Sequence, residues 1–129
     1  MSTLLKIVGL TIGFLSAALA QTHAPVGLQL YSFRNQFSHD VPGTMAKVRE
    51  MGFREVEVAG TYGLSTAAFR KLLDEHGIKA VSLGASFEEL ETGIPGVIEN
   101  AKTLGAKYVT CAWVPHATDR LTVAEADRA

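Results

Sequence analysis

The chain has 129 residues, 47% apolar and 19% charged, with 12 basic against 13 acidic side chains and a formal net charge of −1. A chain of that length accommodates one domain of modest core rather than a multidomain enzyme. The apolar fraction excludes wholesale disorder, and the balanced charge gives no footing for a polyanion, so nucleic acid is not an expected partner. The one cysteine, Cys111, allows neither an internal disulfide nor a four-thiolate zinc site, and stability has to come from packing.

Residues 1–20 read as a secretory signal peptide. Lys6 precedes an apolar run from Ile7 to Leu15, and Ala18-Leu19-Ala20 supplies a small-residue cleavage site that leaves Gln21 as the new terminus. The run is shorter than the roughly 20 apolar residues that span a hydrocarbon core. No cysteine follows to take a lipid. The expectation is an exported product, periplasmic or secreted, with no membrane partner after cleavage.

From residue 21 onward one pattern recurs. Gly52-Phe53-Arg54-Glu55-Val56-Glu57-Val58, Gly77-Ile78-Lys79-Ala80-Val81-Ser82-Leu83 and Gly105-Ala106-Lys107-Tyr108-Val109-Thr110-Cys111 share a glycine, an apolar residue, a base and then a strand-like run. The spacing fits one helix plus one strand with their loops, which predicts each glycine as a helix stop in the left-handed conformation.

In chain order, Val26 to Ser32 lacks a helical period and is predicted as a strand. Asp40 caps a first helix with Pro42 in its opening turn and Val41, Met45 and Val48 on one face, ending before Gly52. Ser65 or Thr66 caps a second, buried through Phe69, Leu72 and Leu73. Thr92 is read as the cap of a third, with Ile94, Val97, Ile98, Ala101 and Leu104 on its face. A fourth begins near Thr122.

Strands alternating with helices over short crossovers demand parallel pairing and right-handed connections. A doubly wound sheet and a (β/α)₈ barrel both satisfy that grammar. The first strand is followed by Phe33 to His39 with no glycine-rich phosphate turn, and the strands carry Gln29, Tyr31, Glu57, Ser82 and Thr110 or Cys111 among their apolar residues. A charged Glu57 in mid-strand suits a barrel interior better than a sheet covered on both faces. The predicted fold is therefore α/β: the N-terminal half of a (β/α)₈ TIM barrel, four parallel strands with alternating helices.

Val26 to Ser32, Val56-Glu57-Val58-Ala59-Gly60, Phe69-Arg70-Lys71-Leu72-Leu73 and Gly105-Ala106-Lys107-Tyr108-Val109, with Trp113 beyond, resemble the sugar phosphate isomerase/epimerase family of the xylose isomerase-like TIM-barrel superfamily. The resemblance runs from Gly27 to Ala126 and makes residues 21–129 a partial barrel of that kind. It implies metal-assisted proton transfer next to a carbonyl of a ketose or related sugar. A divalent ion, manganese, magnesium, zinc or cobalt, stabilises the enediolate while carboxylates on either side move the proton. A complete barrel takes about 250 residues, and the family's metal ligands lie on later strands. This chain is thus expected to contribute neither metal ligands nor a catalytic base, and Gly84 stands where related sequences often carry a histidine.

The candidate substrate-binding residues are Tyr31 and Ser32 at the end of the first strand, Glu57 on the second, and Trp113 and His116 after the fourth. Glu57 reads equally as a structural carboxylate, Trp113 as a core-capping aromatic and His116 as a loop histidine. Cys111 is expected to be buried and inert, His39 to flank a cap, His76 to complement a helix C-terminus, and Glu88, Glu89 and Glu91 to form a solvated face. The small-molecule partner is a sugar. Competing readings are a hydro-lyase or, less compatibly with charge and export, a phosphodiester hydrolase of the same superfamily. A third is a non-catalytic remnant or binding half-barrel that self-associates through its open sheet edges.

Overall fold

A computed structural model describes residues 26–128, so the signal peptide reading lies outside the described residues. The elements are β1 (Leu28–Gln29), a 3₁₀ turn (Leu30–Phe33), α1 (Arg34–Phe37), α2 (Val41–Glu50), β2 (Glu55–Val58), α3 (Thr66–Glu75), β3 (Lys79–Gly84), α4 (Phe87–Thr92), α5 (Ile94–Leu104), β4 (Tyr108–Thr110) and α6 (Val123–Arg128). Among the described residues, no helix is long and apolar enough to cross a membrane.

The longer helices start and stop by recognisable chemistry. The Asp40 carboxylate accepts the Gly43 N–H at 2.9 Å, and Ser65 rather than Thr66 accepts the Ala68 N–H at 3.2 Å. Each supplies an acceptor to an N–H that has no partner within its helix. Gly52, Gly77 and Gly105 have φ of 97°, 59° and 75°, as the recurring pattern requires. At Gly105 a second constraint joins the first, because a Cβ there would collide with the Arg70 guanidinium. That guanidinium donates to the Leu104 carbonyl at 2.7 Å and to Asp74, tying the end of α5 to α3.

After each glycine the chain enters the sheet, whose four strands are all parallel in the order β1-β2-β3-β4. With right-handed crossovers, an unreversed order lays every helix on the same face. That is the arrangement of a half (β/α) barrel, and the sheet is not closed. The core lies between this outer face and the helices: Val56 and Val58 from β2, Ala80 and Leu83 from β3, Met45 and Val48 from α2, Phe69 and Leu73 from α3, and Val97, Ala101 and Leu104 from α5.

Several local expectations are corrected. The first strand is only two residues long, because Leu30 turns inward to full burial and the backbone continues as a 3₁₀ turn. Thr92 does not cap α5: its hydroxyl donates back to the Glu88 carbonyl at 2.8 Å, ending a separate helix, α4, and α5 starts from Gly93 with no side-chain cap. The face of α5 is also narrower than its sequence suggests, since Ile94 and Ile98 are exposed. Cys111 sits one residue past β4 and is half-buried, not a core strand residue.

The loop after β2 holds the rim together. Tyr62, at φ 50°, stacks on Phe37 with ring centroids 4.7 Å apart, leans on Phe69 and donates its hydroxyl to the Leu30 carbonyl at 3.4 Å. Burial pushes its phenol pKa up. A left-handed tyrosine costs on the order of 1 kcal/mol, which this packing offsets.

Two of the three glycine stops, Gly52 and Gly105, differ in a measurable way. Gly52→Ala meets no atom within 4 Å and is expected to lower stability by about 1–2 kcal/mol through backbone strain alone. Gly105→Ala should cost more in the same denaturant titration. The excess should disappear in the Arg70→Ala background, where nothing is left to displace.

Candidate functional site

Parallel strands in this order point their C-terminal ends to one rim, and the inner sheet face beneath that rim carries the polar residues. Gln29 pairs in register with Glu57, and Glu57 with Ser82. The last pairing exists because the register slips between Val56 and Glu57, so that β3 carries one extra residue there. The Gln29 amide donates to the Glu57 carboxylate at 2.6 Å, and Ser82 shares a 2.8 Å hydrogen bond with Thr110. Thr110, not Cys111, is the inward polar residue of β4.

Above this polar strip lies an open concavity of about 660 Å³. Its lining includes Gln29, Tyr31, Glu57, Glu89, Thr110 and Trp113, with the small residues Ala59, Gly84, Ala85 and Ala112 forming the rest together with Ser86. Three of the five candidate residues from the sequence therefore meet here: Tyr31, Glu57 and Trp113. Tyr31 reaches it from the 3₁₀ turn, its ring covered by Arg34 at 4.5 Å. Ser32 is exposed on that turn and is not in the lining. His116 is not in the lining either. It packs against Trp113, ring centroids 5.4 Å apart, and its Nδ1 lies 2.6 Å from the Val114 carbonyl. A carbonyl accepts only, so Nδ1 is the donor in this bond. His116 is thus a prop for Trp113.

Glu89 was missed as a rim residue when read as part of a solvated face. Its signal was present: Ser86-Phe87-Glu88-Glu89 has the spacing of a capping box. Ser86 Oγ accepts the Glu89 N–H at 3.2 Å, and the Glu89 carboxylate accepts the Ser86 N–H at 2.8 Å and its hydroxyl at 2.7 Å. Those bonds, the backbone one first, hold the Glu89 carboxyl below the usual carboxylate range. Glu91 is not merely solvated, since it pairs with Arg128 of α6 at 2.7 Å.

Both carboxylates of the concavity are thus already engaged, Glu57 by Gln29 and Glu89 by Ser86. Among the described residues no three His, Cys, Asp or Glu side chains converge as a metal-ligating group. The described residues do not fit the divalent ion that the resemblance implies. What the site offers is hydrogen-bonding oxygen and amide groups on its floor and an aromatic wall. Neither family models nor curated proteins match this chain.

The Glu89 box sets a pH dependence. A carboxyl lowered in the folded state stabilises above its unfolded pKa and loses that contribution as pH falls through the folded value. The Glu89 titration followed by NMR is expected to have a midpoint below that of an exposed glutamate. Ser86→Ala removes the hydroxyl bond and keeps the backbone N–H bond, so it should raise the midpoint only part of the way towards the ordinary range and soften the acid limb of the stability curve.

Proposed function

We propose that this chain is the N-terminal half of a sugar isomerase/epimerase-type barrel, and that the concavity over Gln29, Glu57 and Thr110 is where it binds an unphosphorylated sugar. The observation carrying this reading is the Gln29–Glu57 pair on the inner face beneath the Trp113 wall. A pyranose or open-chain ketose presents hydroxyls on its edges and C–H groups on its faces. A carboxylate with an amide beside it accepts and donates to adjacent hydroxyls, and an indole takes the apolar face. Among the described residues the lining contains two carboxylates and no basic side chain, and the Arg34 guanidinium behind Tyr31 is engaged by that residue's ring and carbonyl, which disfavours a phosphate.

In this reading the described residues bind and orient the sugar. The chemistry would be proton transfer next to a carbonyl, with its bases and its metal contributed from outside residues 26–128. A hydro-lyase using the same half-site differs only in those contributed groups.

A second reading, a non-catalytic binding half-barrel that pairs with another copy of itself, is favoured by the edge strand β4. Tyr108 and Val109 there are 68% and 41% exposed, beside an unpaired strand edge. Concentration-dependent dimerisation in sedimentation supports it, and a monomer throughout rejects it.

Trp113 is the sole tryptophan, so its fluorescence reports on the site directly. Titration of the full chain with a panel of neutral ketoses and aldoses is expected to give saturable quenching by at least one of them. Glu57→Gln should weaken that binding about tenfold or more, as loss of a charge-assisted hydrogen bond does. The corresponding sugar phosphate should bind more weakly than the free sugar. No saturation across the panel would overturn the sugar reading.

A further inference from the structure

A second concavity adjoins the first. It measures about 350 Å³ and is lined by Ala85, Ser86, Phe87, Glu88, Ala112, Trp113 and Pro115. Four of these, Ala85, Ser86, Ala112 and Trp113, also line the larger concavity, so the two are halves of one groove with Trp113 common to both.

The halves differ in chemistry. The larger has Glu57, Gln29, Thr110 and Tyr31 available to hydroxyls, whereas the smaller is walled by Phe87, Pro115, the indole and two alanines. Its polar side chains are Ser86 and Glu88, the latter exposed at the rim. Ser86 Oγ is already committed, donating to the Glu89 carboxylate and accepting the Glu89 N–H. A second sugar ring placed there would leave most of its hydroxyls without partners, at the cost that unpaired polar groups carry. An apolar or aromatic substituent would lose nothing.

The wall is also braced. Past Trp113 the chain is tied back by Glu125, whose carboxylate accepts the Ala117 N–H at 3.1 Å and the Thr122 N–H at 2.7 Å. The same helix, α6, is anchored to α4 by the Arg128–Glu91 pair, with the Arg128 guanidinium over the Phe87 ring at 5.1 Å. Pro115 and Trp113, just before this braced segment, line the smaller concavity together with Phe87.

We infer that the ligand is a neutral sugar conjugated to an apolar aglycone, an aryl glycoside in the simplest case, with the sugar over Glu57 and the aglycone between Trp113, Phe87 and Pro115. This deepens the sugar-binding reading and rests on it. No bond is made or broken in the inference, which concerns recognition alone.

The test compares a methyl glycoside, its phenyl counterpart and a disaccharide of the same sugar, titrated calorimetrically into the full chain. The phenyl glycoside is expected to bind about tenfold more tightly than the methyl glycoside, equivalent to about 1.4 kcal/mol, and the disaccharide no more tightly than the methyl glycoside. Glu88→Trp, a substitution at an exposed position on the rim of the smaller concavity, should erase the phenyl advantage while leaving methyl glycoside affinity unchanged. Equal affinities for phenyl and methyl glycosides overturn the aglycone subsite and leave the sugar site standing. If phenol alone binds as well as the phenyl glycoside and the methyl glycoside does not bind, the sugar reading falls and the conjugate falls with it. A disaccharide tighter than the phenyl glycoside assigns the smaller concavity to a second sugar ring and rejects the inference.

Discussion

Everything about the molecule follows from four parallel strands laid down in sequence order without a reversal. Parallel neighbours require a crossover, and right-handed crossovers in unreversed order return over one face. The sheet therefore acquires two unlike surfaces. One is sealed by α2, α3 and α5 and built from Val56, Val58, Ala80 and Leu83. The other carries no helix among the described residues that seals it as those do, and its period-two positions are where Gln29, Glu57, Ser82 and Thr110 sit. A sheet reversed at mid-order would have covered both faces, and a half-buried carboxylate in β2 would then have needed a buried partner.

Stability and site formation are consequently coupled through the strand ends rather than through the core alone. The bonds that terminate helices also shape the rim. Ser86 and Glu89 close the start of α4 and at the same time fix a carboxylate at the edge of the concavity. Tyr62 fills the space between Phe37 and Phe69 while its hydroxyl steadies Leu30, the residue at which β1 gives way to the turn carrying Tyr31. Changes made for packing on the helix side of the sheet should therefore be felt at the rim.

The recurring glycine pattern made the fold legible, because a helix stop, a base and a strand at near-constant spacing leave few topologies open. Glu57 was legible for a related reason: a charge within an apolar strand has to face something other than a core. Tyr31 and Trp113 were identified at the right end of the sheet, although Tyr31 lies outside the strand it was expected to close. What escaped was local competition. Leu30 buries itself by breaking the strand pattern, and Thr92 satisfies a carbonyl behind it instead of an amide ahead, so it ends a short helix that was not predicted instead of starting the one that was. Periodicity reports the average environment of a face and is insensitive to such single-residue choices. The roles of Ser32 and His116 could not be separated from those of their neighbours for the same reason, since a rim position is fixed by loop geometry that has no period.

Charge at the rim narrows the ligand further than shape does. Glu57 and Glu89 both line the concavity, and among the described residues the lining has no lysine, arginine or histidine. A phosphate about 5 Å from one carboxylate, at the effective dielectric of about 20 that suits partly buried pairs, would be repelled by about 3 kcal/mol per pair of unit charges. A neutral hydroxyl avoids that cost and gains a charge-assisted bond, worth about 1.5–3 kcal/mol, by donating to the same oxygen. The opposite signs of those two effects, more than the volume of the groove, select an uncharged polyol. They also explain why the amide of Gln29 is an apt neighbour for Glu57. A lysine there would neutralise the carboxylate, and an amide leaves its charge in place for the ligand.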